Sequence, residues 1–188
     1  MAICVTTMGA AHADDCDLQV HYGRIDAVLW TRAETTDAIT DPTSSSEWAT
    51  RISNSASLTS SGTAAPIRYL YVVNGEWPDP EITEIDASAG RTVTSPPKHT
   101  LTLDVDDTGD TNAALLAAEN ATTKRRKVWF LIAGQLWGGA SGYPMDMVFL
   151  NRNVPGTRSE TQKIKIRLKF EGVQTAPIAS VLPILTPA

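Results

Sequence analysis

The stretch Thr161 to Glu171, TQKIKIRLKFE, decides the fold class. Ile164, Ile166, Leu168 and Phe170 alternate with Lys163, Lys165, Arg167 and Lys169 with almost no defect. A period of two belongs to a strand, whose successive side chains leave opposite faces. One face is therefore predicted to meet a core and the other to carry four cations. Lys98 to Asp106, KHTLTLDVD, repeats the pattern, with Leu101, Leu103 and Val105 on one side and Thr100, Thr102, Asp104 and Asp106 on the other. Four like charges along one sheet face repel, so they need water, counter-ions or an opposing surface. The acidic, hydroxyl-bearing face of Thr100 to Asp106 can supply that surface within the same sheet or from a neighbouring subunit. A solvated outer face is the plain alternative.

Outward from these two strands, the remaining pattern is also β-rich. Val128 to Ala133, VWFLIA, is apolar on both faces and reads as a central strand, with a tight turn at Gly134-Gln135 into Leu136-Trp137 and an end at Gly138-Gly139. Arg24 to Arg32, Ile67 to Val73 and Met145 to Leu150 read as further strands, and Glu81 to Asp86 as a weak one. A helix is expected from about Asp110 to Asn120, with Lys124 to Lys127 (KRRK) as its solvated exit, where cations oppose the helix dipole. Ser44-Ser45-Ser46-Glu47 offers a capping box, and Trp48 and Ile52 follow at i,i+4, so a short helix or turn there pins the segment to something apolar. The expected architecture is mainly β: a β-sandwich or β-barrel with one flanking helix and long ordered arms. The arms are residues 1–23, the long loop 33–66 and the Pro-punctuated tail 176–188, all within one domain spanning 1–188.

Composition agrees with a single globular domain. The chain has 188 residues, 42% of them apolar and only 20% charged, enough for one core of ordinary size. A net charge of −5 argues against gripping nucleic acid through its phosphates. No apolar run approaches the roughly 20 residues of a membrane helix, so no membrane partner is expected. Ala11-His12-Ala13 before Asp14 mimics a leader-cleavage site, but no basic region precedes it and Thr6 and Thr7 break the apolar run. The segment reads as an arm.

Motifs for chemistry are weak. Cys4, His12, Cys16 and His21 could bind zinc by residue type, but their spacing fits no usual finger, and no Cys-x-x-Cys knuckle exists. A Cys4–Cys16 disulfide, or two free thiols packed near each other, is the favoured reading. Asp104 to Asp110 imitates the first half of a calcium loop, yet Leu115 stands where the closing bidentate Glu belongs. Gly138-Gly-Ala-Ser141-Gly has the wrong spacing for a nucleophile elbow, and no phosphate-binding glycine loop occurs. The expectation is a protein that is not an enzyme and uses no cofactor and no metal.

The opening Met1-Ala2-x-Cys4, the second Cys16, and Gly23-Arg24-Ile25 leading into a strand resemble small virion proteins of tailed bacteriophages, in particular those of Bacteroidetes-type hosts. VWFLIAGQLWGGASGY, from Val128 to Tyr143, is similar to the strand–turn–Gly-Gly segment of tail-tube-like subunits. The resemblance implies a β-sandwich or barrel with a flanking helix, stacked in hexameric rings around a DNA channel. It also implies a homo-oligomer within a virion assembled in the host cytoplasm, in contact with other virion proteins and passively with DNA. The cationic strand departs from such a lumen, which keeps a capsid auxiliary, decoration or head–tail connector protein open. From another class, a carbohydrate- or surface-binding β-sandwich module would use exposed aromatics among Trp30, Trp48, Trp77, Trp129 and Trp137. The residues expected at an assembly interface are Trp48, Ile52, Lys163, Lys165, Arg167, Lys169, Ile178 and Leu182.

Overall fold

The structure is a computed structural model that describes residues 24–32, 39–52, 66–87, 91–106, 120–121, 125–153, 163–172 and 177–179. Its elements in chain order are β1 (Ile25–Arg32), α1 (Ser45–Arg51), β2 (Arg68–Tyr71), β3 (Glu84–Ala87), β4 (Arg91–Thr94), β5 (Lys98–Asp106), β6 (Arg125–Ile132), β7 (Gln135–Trp137), β8 (Tyr143–Asn153), β9 (Lys163–Glu171) and β10 (Ile178–Ala179). The fold is mainly β, as the alternation predicts. No helix among the described residues is long and apolar enough to cross a membrane.

One antiparallel sheet of eight strands, counting the two-residue β10, carries the fold. β6 is its spine. Along one edge β6 pairs with β1, which pairs in turn with β2. Along the other edge, Phe130–Ile132 take β7 and Arg125–Val128 take β8. β8 then passes to β9, with a bulge between Phe149 and Arg152, and β9 pairs with β5 along its whole length. The sheet curls until its ends meet at the isolated bridge Asn74↔Asp104, where Val73 N donates to Asp104 O at 2.8 Å. A bridge is not a ladder, so the sheet is not closed into a barrel.

Inside the curl lies the main core, with Val28 and Trp30 from β1, Leu101 and Leu103 from β5, Val128 and Phe130 from β6, Met145 and Phe149 from β8, and Ile164 to Phe170 from β9. Burying a side chain of this size contributes about 1.5–3 kcal/mol, and alternation on five strands aims them all inward. At one end of this core Trp77 packs on Phe130, Tyr143, Trp137 and His99, with ring centroids 5.1–6.4 Å apart. His99 also stacks on Phe170, which accounts for a histidine buried in a strand.

A second, smaller core covers the outer face of β1, β6 and β7. Leu29, Trp129 and Leu136 meet Ile39, Trp48 and Ile67 there, with Ile52 and Ile178 half-buried beside them. α1 forms where Trp48 and Ile52 were expected to dock, and Trp48 meets Trp129 edge to face at 5.7 Å. The expected capping box does not form. Ser44 is the N-cap but makes no side-chain cap bond. The Glu47 carboxylate instead accepts the amides of Thr40 and Asp41 at 2.8 and 3.0 Å, closing the preceding loop. Beside it the Thr43 hydroxyl and amide donate to Asp41, which holds that carboxyl below its ordinary value.

One other expectation needs correction. Arg125 to Lys127 of KRRK are not a solvated run after a helix, because β6 begins at Arg125 and Arg126 shares the inward face with Val128 and Phe130, only 1% exposed. The end expected at Gly138-Gly139 is present, since β7 stops at Trp137. β7 and β8 run in the same direction along one edge of β6, and Gly138–Gly142 loops out between them. That loop wraps the Trp129 indole, whose Nε1 donates to Gly139 O at 2.8 Å. Gly138 (φ 123°) and Gly142 (φ 70°) are needed on both counts, backbone and space: an added Cβ would stand 2.7 Å and 2.9 Å from the ring. The β6–β7 turn holds Ala133 and Gly134 at φ 49° and 76°, the doubly positive pair of a tight hairpin turn.

Most of the helix expected at Asp110 to Asn120 lies outside the described residues, as do the arm 1–23 with Cys4, His12, Cys16 and His21, most of 33–66 and most of 176–188. Asn120 is helical, and its side-chain amide clasps the β8 backbone, donating to Phe149 O at 2.9 Å and accepting from Phe149 N at 3.1 Å.

Candidate assembly surface

α1, with Ile39 and Ile67, covers the outer face of β1, β6 and β7. The outer face of β5, β9 and β8 has no such layer among the described residues. Alternation puts the inward set of β9 in the core and leaves Lys165, Arg167 and Lys169 exposed, with Lys163 half-buried at the end of the row. The register sets Asp106 opposite Lys163, Asp104 opposite Lys165, Thr102 opposite Arg167 and Thr100 opposite Lys169. On the other edge, Val148 lies opposite Arg167 and Asp146 opposite Lys169.

Two acids beside the row are paired elsewhere. Asp146 turns to Arg125 at 3.6 Å, and Glu171 turns to Lys98 at 3.5 Å, both exposed pairs of small energetic weight. Asp104 is half-buried, and its backbone carries the bridge to Asn74. Among the described residues Lys165, Arg167 and Lys169 have no ion-pair partner within 4.0 Å. Three adjacent cations held about 6.8 Å apart along a rigid strand form a surface on which an acidic partner gains several contacts at once.

Of the other residues expected at an interface, Trp48 is fully buried in the second core, and its Nε1 donates to Pro42 O at 3.0 Å. It has no surface to offer a partner, which corrects that expectation. Ile52 and Ile178 are half-buried against the same core and present only part of their side chains. Leu182 lies outside the described residues.

No family of known proteins matches this chain, and no curated protein matches it. Its surface chemistry therefore carries the functional argument. Among the described residues no three His, Cys, Asp or Glu side chains gather as a metal site would require. Asp104 and Asp106, the start of the calcium-like stretch, are strand residues of β5.

One surface element escapes a reading by periodicity. β3 and β4 form a two-stranded sheet of their own, pairing with each other and with no other named strand. Ile82 and Val93, 57% and 54% exposed, are the large exposed hydrophobic residues of the described chain. From Glu76 to Ala87 the sequence holds five acids and no base, a local signal opposite in sign to β9.

Proposed function

We propose that this chain is a self-assembling virion structural protein, a tail-tube-type subunit that forms stacked rings around a DNA channel. The observation that carries this reading is the division of the outer surface. A curled sheet with a core of its own leaves a cationic face uncovered among the described residues, and a separate two-stranded hairpin presents exposed acids. The two surfaces are opposite in charge and both are accessible to a neighbouring copy. A net charge of −5 suits a channel that lets DNA pass without holding it. The likeness of Val128–Tyr143 to tail-tube-like subunits supports the same reading. In this chain that segment builds the spine strand and a glycine loop locked over Trp129, the rigid framework a repeating subunit needs.

A capsid auxiliary or head–tail connector shares the structural requirements, and the form of the assembly separates it from a tube. The carbohydrate-binding alternative loses its platform, because Trp30, Trp48 and Trp129 are buried and Trp77 and Trp137 are half-buried against the main core. Negative-stain electron microscopy of the purified chain at rising concentration is expected to show rings with an open centre that stack into tubes. Single unstacked rings would favour a connector, and particles that remain monomeric at every concentration would overturn the proposal.

A further inference from the structure

We infer that the acidic β3–β4 hairpin of one copy docks on the cationic outer face of β9 in the next, making a head-to-tail contact. The inference rests on the self-assembly reading and names the surfaces it uses. A two-stranded hairpin is at best marginally stable alone in water, and β3 and β4 pair with each other and with no other named strand. It continues toward the sheet through the bridge Glu81↔Lys98 and the bond from Ser95 N to Thr83 O, so its base is anchored, and Glu84, Asp86, Val93 and Thr94 are exposed along it.

Pleating sorts its residues. Ile82, Glu84 and Asp86 fall on one face, with Thr94 paired opposite Glu84. All four are exposed. The face is thus two acids and one apolar side chain at the period of a strand. β9 offers Lys165, Arg167 and Lys169 at that same period, so Glu84 and Asp86 can meet two successive cations in register. Within one molecule the acids of the hairpin have no ion pair with β9 among the described residues. The two patches differ, so a contact between them is heterologous, and such contacts propagate into rings or filaments instead of closing as a dimer. An exposed ion pair alone contributes little; the contact needs several of them together with burial of Ile82.

The test uses charge reversal on the full chain. Glu84→Lys with Asp86→Lys, and separately Lys165→Glu with Arg167→Glu, are each expected to stay monomeric at concentrations where the unaltered chain is fully assembled. Mixed one to one, the two variants are expected to co-assemble, because every hairpin then finds a face of opposite charge. Far-UV circular dichroism checks that each variant folds, and glutamine versions of the same four positions replace any that does not; those should weaken assembly. Assembly of either reversal variant alone, or a mixture that remains dissociated, would overturn the inference. Loss of assembly with the β9 variant but not the hairpin variant would also overturn it, assigning the β9 face to a different partner. If the unaltered chain assembles in these cases, the functional proposal stands without this contact; if it never assembles, both fall.

Discussion

Trp129→Ala is expected to cost about 3–5 kcal/mol of folding stability, the usual range for removing a large buried aromatic. Trp129 is fully buried on the outer face of the spine strand, where it anchors α1 through Trp48 and the Gly138–Gly142 loop through its indole N–H. Its removal leaves Gly139 O without that donor and the second core without its centre. Urea denaturation should show the loss, and hydrogen exchange should show α1 and the loop losing protection before the main core does. A loss below about 1 kcal/mol would mean that the second core is dispensable. Gly138→Ala should also be destabilising, through both the positive φ and the contact with the ring. In a Trp129→Ala background the part of that cost due to the ring should be gone, so the two changes should be clearly non-additive.

Ile166→Ala is expected to cost about 2–5 kcal/mol. Ile166 is fully buried and lies in register between Leu103 of β5 and Phe149 of β8, so the truncation opens a cavity bordered by three strands. Lys165→Ala, one residue away on the opposite face, should change stability by about 0.5 kcal/mol or less, since it is exposed and makes no ion pair within the described chain. Chemical denaturation of both variants measures the contrast. Equal losses would mean that the faces of β9 are reversed.

The strands with one-sided alternation were legible because burial on one face fixes period and register together. β5 has the predicted bounds, and β9 begins at Lys163 within its predicted span. β6 was legible as a central strand from its two apolar faces, but not its start. Its first three residues are cations, and sequence alone gives no sign that Arg126 turns inward at the end of the core. β4, RTVT, is too short to show a period and exists through its pairing with β3. Trp48 shows the limit for the site. Its spacing with Ile52 says that a helix face must dock on something apolar, and both a neighbouring subunit and its own chain satisfy that condition. The partner proves to be Trp129, distant in sequence and close only after the sheet forms. The cationic row could be read residue by residue, whereas the separate pairing of β3 and β4 emerges only from tertiary structure.

Sedimentation velocity of the unaltered chain, across a range of concentrations at low and at high salt, tests the central claim most directly. Contacts between exposed charges are screened beyond about 10 Å at 0.1 M salt and about 3 Å at 1 M. The account predicts species larger than a monomer that grow with concentration and retreat toward the monomer at high salt. A single monomeric species under all conditions would contradict it.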